Sequence, residues 1–94
     1  MYSVGTTRGY HIGKFLIRHK SSGKYMHPYG GSKVPGNNTP MVIYPGYHEA
    51  CYFHFFPVKD YPGYGVIRQA SSDRYIHPLG GSTNPGNNNQ IVYY

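Results

Sequence analysis

The sequence repeats itself. Shifted by 50 positions, residues 17–44 align without gaps on residues 67–94, and 16 of the 28 pairs are identical. A period near 50 lies in the range where each repeat is one supersecondary unit that buries its apolar face only against a neighbour. The identical pairs include Ile17, Val42 and Tyr44, the kind of residues a packed core uses, and the turn formers Pro28, Gly30, Gly31, Pro35 and Gly36. With 13 glycines and 8 prolines in 94 residues, helix breakers are too dense for a mostly helical chain. Twelve tyrosines set the sequence apart from aromatic-poor disordered chains. The length suits one small all-β domain, and a single cysteine, Cys51, provides no internal disulfide to support it.

Each repeat reads as short strands divided by turns. Residues 15–19 and 24–27 flank Ser21-Ser22-Gly23 as a hairpin, and residues 66–68 and 74–77 flank Ser71-Ser72-Asp73 in the same way. Asp in place of Gly supports that hairpin, because both residues tolerate turn geometry. A loop rich in turn formers follows, then a third strand at 41–44 and a fourth at 52–56, where alternation puts Phe53 and Phe55 on one face toward the core. The second copy stops after its third strand, so about seven strands are expected. The pairs Asn37-Asn38 and Asn87-Asn88 read as Asx-turns rather than ligands. Cys51, just before an aromatic run, reads as a small buried hydrophobe. Gly9-Tyr10-His11 echoes Gly46-Tyr47-His48, a match too short to carry weight.

Charge narrows the partners. The net charge is +6, yet the nine Lys and Arg never form a run of five or six, so no specific nucleic-acid partner is expected. Residues 1–50 hold six of these cations with one acid, and residues 51–94 hold three with two acids. No apolar stretch reaches the roughly 18 residues of a membrane span, so no membrane insertion is expected. The first residues lack a basic segment followed by an apolar one, so no signal peptide is read. The Asn37-Asn38-Thr39 sequon is accordingly expected to be unmodified.

Enzyme chemistry has little to work with. Glu49, Asp60 and Asp73 are the only acids, no nucleophile elbow, P-loop or dinucleotide fingerprint is present, and the histidine spacings (eight from His11 to His19, six from His48 to His54) are not those of a zinc motif. No enzymatic activity, cofactor or metal is expected. The repeated His-Pro-x-Gly-Gly loop suits a shallow polar site better. A neutral imidazole both donates and accepts, proline stiffens the loop, paired glycines let backbone approach a ligand, and tyrosine offers a flat amphipathic face.

His27-Pro28-Tyr29-Gly30-Gly31-Ser32 and His77-Pro78-Leu79-Gly80-Gly81-Ser82 resemble the HPxGG loop of the MytiLec-like lectins, a mussel family of β-trefoils. The flanking hairpin at 15–25 and the Asn-rich stretch before the third strand fit too, so the resemblance spans about 14–94. It implies an all-β fold of β-trefoil-type repeats with about two of three units present: an N-terminal segment at 1–13, a first repeat at 14–63, and a second at 64–94. It also implies sugar contacts from His27, Pro28 and Gly30 and from His77, Pro78 and Gly80. The family adds an H-x-D-x-H segment after the third strand; here Tyr44 stands for the first His, Gly46 for the Asp, and His48 matches the last His. Tyr44 and His48 therefore join the expected site, and Tyr94 replaces the first His of the second copy. Losing the Asp removes an acceptor for sugar hydroxyls, and Tyr44 adds an aromatic face.

The expected function is a lectin for galactose- or GalNAc-containing glycans on glycolipids or glycoproteins, multivalent through its repeats and through self-association. Two rivals belong to other classes. One is a structural or adhesive matrix protein; the other is a β-trefoil interaction protein whose sugar sites have degenerated. The regular placement of Ile, Val and Tyr argues against low-complexity matrix repetition.

Overall fold

A computed structural model describes residues 12–94, and all its regular elements but one short 3₁₀ turn are strands. In chain order these are β1 (Ile12–Phe15), β2 (Tyr25–Pro28), β3 (Thr39–Tyr44), β4 (Phe53–Pro57), β5 (Gly65–Gln69), β6 (Ile76–Pro78) and β7 (Ile91–Tyr93), with the 3₁₀ turn at Glu49–Cys51. The echo at Gly9-Tyr10-His11 lies outside the described residues. Among those described, no helix is long and apolar enough to cross a membrane.

Two antiparallel sheets carry the chain. One has the order β1-β4-β5, the other β2-β3-β7-β6, so each repeat contributes a hairpin to the second sheet and β3 joins β7 across the repeats. Seven strands agree with the expected number, and the fourth begins one residue later than expected. The first strand differs more: it ends at Phe15, where the sequence pattern starts it. Its pairing with β4 slips between Ile12↔Phe55 and Phe15↔Phe53. Beyond it, residues 16–19 meet a neighbouring strand only through the bridge Arg18↔Tyr25, whereas β5 is held along its whole length by β4.

The turns fall where the repeat puts them, because their residue types match what the backbone demands. Gly23 and Asp73 occupy the same left-handed position, at φ 73° and 63°, and both amides donate 2.8 Å bonds, to the carbonyls of His19 and Gln69 respectively. Asn38 and Asn88, at φ 67° and 65°, are the other non-glycine residues in this region, in keeping with the tolerance of Asn and Asp for it. Asn38 lies between Gly36 and β3, where the Thr39 hydroxyl donates to the Gly36 carbonyl at 2.7 Å.

The core is small and aromatic. Phe53, Tyr93, Val92, Ala50 and Cys51 are fully buried, so the reading of Cys51 as a small buried hydrophobe holds. Phe53 stacks on Tyr93 at 6.4 Å and lies 6.2 Å from Phe15. Of the two phenylalanines expected in the core, Phe53 is buried completely and Phe55 only in part.

The polar side chain of Gln69 is buried with them. The Gln69 amide donates to the Ala50 carbonyl at 3.0 Å and the Ser32 carbonyl at 3.2 Å, and its oxygen accepts from the Ser72 hydroxyl. Nearby the Ser71 hydroxyl donates to the Lys33 carbonyl at 2.7 Å and Arg74 donates to the Asn37 side chain. The second hairpin thus grips the first HPxGG loop through polar contacts that reach the core. Gln69 corresponds in the repeat to His19, which is exposed and bonds only locally to Ser22. The repeat departs from itself where one copy lies against the other.

Removing the Gln69 amide leaves the buried Ala50 carbonyl without this donor, at about 1–3 kcal/mol, and takes a further bond from the part-buried Ser32 carbonyl. Gln69→Leu should lower unfolding free energy by about 2–3 kcal/mol in a denaturant titration, while His19→Leu should change it by less than about 0.5 kcal/mol. Equal effects for the two variants would contradict this role.

Candidate functional site

Both HPxGG loops are built by the same backbone logic. The strand carrying the histidine ends at the proline, whose carbonyl accepts from the second glycine: Gly31 N–H to Pro28 at 2.7 Å, and Gly81 N–H to Pro78 at 2.8 Å. The residue between is pinned by its amide, Tyr29 to the Pro40 carbonyl and Leu79 to the Gln90 carbonyl, each at 2.8 Å. The glycines then run left-handed in succession, at φ 87° and 71° in the first loop and 89° and 69° in the second. Only glycine takes two such positions in a row without steric cost.

This geometry opens a depression beside each histidine. The first, about 730 Å³, is lined by His27, Tyr29, Gly30, Gly31, Tyr44 and His48, with Val42 and Ile43 from β3. The second, about 440 Å³, is lined by His77, Leu79, Gly80, Gly81, Tyr94 and Asn38. Their centres match: the His27 and Tyr44 rings meet edge to face at 4.9 Å and 74°, and those of His77 and Tyr94 at 4.9 Å and 78°.

The histidines are held but not used up. His27 is 4% exposed, and among the described residues neither of its ring nitrogens has a hydrogen-bond partner; the same is true of Nε2 of His77. Such groups are costly to leave unsatisfied, so a donor or acceptor brought by a ligand has a ready partner. Burial, and next the charge of His48, hold the His27 pKa below its ordinary value, which keeps the imidazole neutral and able to accept. His48 faces the same space from an exposed position at the N-cap of the 3₁₀ turn, its ring 5.4 Å from that of His27. Its Nδ1 accepts a long 3.4 Å bond from the Ala50 amide. A Cβ on Gly31 would come within 3.4 Å of the His48 ring, so the second glycine sets the width between loop and cap.

Six of the eight residues singled out in the sequence, His27, Gly30, Tyr44, His48, His77 and Gly80, line the two depressions. Pro28 and Pro78 do not; Pro28 is fully buried, and both act through the carbonyl that closes the loop. The sequence reading took the glycine pairs as a whole to let backbone approach a ligand but named only Gly30 and Gly80 as contacts; Gly31 and Gly81 also line the depressions. It also assigned Asn38 to a turn alone. Asn38 does make that turn, and β3–β7 pairing carries it into the second depression, with its amide donating 2.8 Å to the Tyr93 carbonyl. Nothing local in the sequence marks that crossing. The same is true of Cys51, which the fold brings beside His27 and His48.

The family model for MytiLec, described as alpha-D-galactose-binding lectin, matches residues 15–94. A galactose-binding lectin from Crenomytilus grayanus is 54% identical over 50 residues, which are 53% of this chain and 33% of that protein. A galactose-binding lectin from Mytilus californianus is 50% identical over 50 residues, covering 53% and 33%, and an alpha-D-galactose-binding lectin from Mytilus galloprovincialis is 50% identical over 50 residues, covering 53% and 27%. The matched segment thus spans a third or less of these relatives. With the matching model covering both hairpins and both loops, the chain belongs to the MytiLec family.

Proposed function

We propose that the chain is a galactose-binding lectin that recognises galactose- or GalNAc-bearing glycans of glycolipids or glycoproteins through its two HPxGG loops. The observation that carries this reading is the duplicated arrangement of an unpartnered imidazole nitrogen, an edge-packed tyrosine and a left-handed glycine pair around an open depression. The imidazole exchanges hydrogen bonds with sugar hydroxyls, the tyrosine ring covers an apolar C–H face, and the glycines bring main chain close. The names of the relatives, all galactose-binding lectins, support the choice of sugar.

The proposal includes a β-trefoil-type organisation, with units at 14–63 and 64–94, and self-association. Support for the first comes from the hairpin each repeat gives to a common sheet. For the second, Val58, Tyr61 and Tyr64 form an exposed aromatic patch beside Gly65. Individually weak sites gain avidity when several are presented together. The two sites are unequal, since His48 serves only the first and Asn38 takes part in the second.

Calorimetric titration with galactose and N-acetylgalactosamine should find two sites per chain. His27→Ala and His77→Ala should each weaken one site about tenfold, from the loss of roughly 1.4 kcal/mol of polar contact, with melting largely retained for His77→Ala. Light scattering on the same samples should give a mass of at least two chains. Wild-type affinity in the double variant would refute the sites, and a single-chain mass would refute self-association.

The depressed His27 pKa also has a sign. Unfolded, the group titrates near 6.5; folded, it titrates lower, so between the two values only the unfolded chain carries the proton. The stabilisation from keeping His27 neutral is complete above pH 6.5 and is lost as pH falls from there through the folded value. Melting temperature should therefore drop on acidification from about pH 7.5 to 5, and less steeply in His27→Gln. Equal slopes would show that His27 is not responsible.

A further inference from the structure

At the inner edge of the first depression the fold assembles a donor set that sugar binding does not call for. One ligand atom each from His27, His48 and Cys51 lies within 4.8 Å of the other two. Two local structures produce this. His27 comes from β2, His48 caps the 3₁₀ turn, and Cys51 closes that turn three residues later. A spacing of three is one full turn of a 3₁₀ helix, so cap and thiol return to the same side. The separation of 21 residues between His27 and His48 hides the set from any spacing motif.

The state of His27 points to a ligand for this set. It is 4% exposed and both its ring nitrogens lack partners among the described residues, beside a fully buried free thiol. A sugar hydroxyl reaching in from the depression satisfies one nitrogen and leaves the thiol unused. A metal ion satisfies an imidazole and the thiol together. Two imidazoles and a thiolate suit a borderline-soft divalent ion, above all Zn²⁺, and match the three-ligand sites that keep a fourth position open.

We propose that His27, His48 and Cys51 form one metal site per chain that takes Zn²⁺ or a similar divalent transition ion, with water in the fourth position on the depression side. Zinc bonds of about 2.0–2.3 Å draw the donors closer together than 4.8 Å, so all three side chains adjust as the ion binds, the exposed His48 ring most freely. Coordination by either nitrogen of His48 replaces its long bond from the Ala50 amide. As the metal–sulfur bond forms, the Cys51 thiol releases its proton to solvent. Among the described residues such a donor set forms once, at the first loop, so the expected stoichiometry is one. On the lectin reading, metal and galactoside exclude each other at the first depression; the metal site itself does not depend on that reading.

Titrating the reduced chain with Co²⁺ alone, without sugar, tests the site. Tetrahedral cobalt absorption and a thiolate-to-cobalt charge-transfer band should saturate at one ion per chain and be displaced by Zn²⁺. Cys51→Ser should abolish the charge-transfer band. His48→Ala, at an exposed position where folding is retained, should weaken Co²⁺ binding at least about tenfold, and His19→Ala should leave it unchanged. If Cys51→Ser does not fold, His48→Ala decides. The absence of a saturable cobalt spectrum, or a spectrum unaltered by His48→Ala, overturns the proposal.

Discussion

The buried amide of Gln69 joins the two repeats at the core, inside the frame that β3–β7 and β4–β5 pairing provides. Among the described residues, the core it enters has few fully buried apolar side chains, Phe53 and Tyr93 being the large ones, so apolar burial alone gives the repeats little reason to hold one orientation. Gln69 bonds to the first HPxGG loop at Ser32 and to the 3₁₀ turn at Ala50, while its own turn is closed by Ser72. The amide thus bridges the loop that follows His27 and the turn that His48 caps, two walls of the first depression, and a buried polar group of this kind specifies geometry more than it adds stability.

The two depressions differ because the repeats are not in equivalent surroundings. In the first, the chain runs on from Tyr44 to His48 and supplies a second imidazole. In the second, Tyr94 packs on the histidine and Asn38 of the other repeat supplies the polar wall. What they keep in common is the part the loop builds by itself: the histidine at the strand end, the left-handed glycine pair and the crossing tyrosine. A loop geometry reproduced twice on one chain has a local cause, whereas the differences in volume and donors come from long-range packing.

That division also explains how much was legible in the sequence. Gly23 and Asp73, Asn38 and Asn88, and the two glycine pairs could be read as turns because each needs a backbone conformation that few residue types accept. The hairpins followed from the turns, and the family of the chain followed from the loop they carry. The first strand was misplaced because its position depends on a slipped register with β4, a contact some 40 residues away. Pro28 is buried and closes the loop through its carbonyl without lining the depression, since the sequence shows which residue stiffens a loop but not which way it faces. The meeting of His27, His48 and Cys51 was invisible for the same reason: it exists only once β2 and the 3₁₀ turn have packed.

The central claim is that both HPxGG loops bind galactoside, and the amides of their glycine pairs report on it most directly. In a ¹⁵N-resolved NMR titration with galactose, the amides of Gly30 and Gly31 and of Gly80 and Gly81 should shift progressively and saturate, while those of the Gly23 and Asp73 turns stay in place. Shifts confined to other surfaces, or unmoved glycine pairs at saturating galactose, would contradict it.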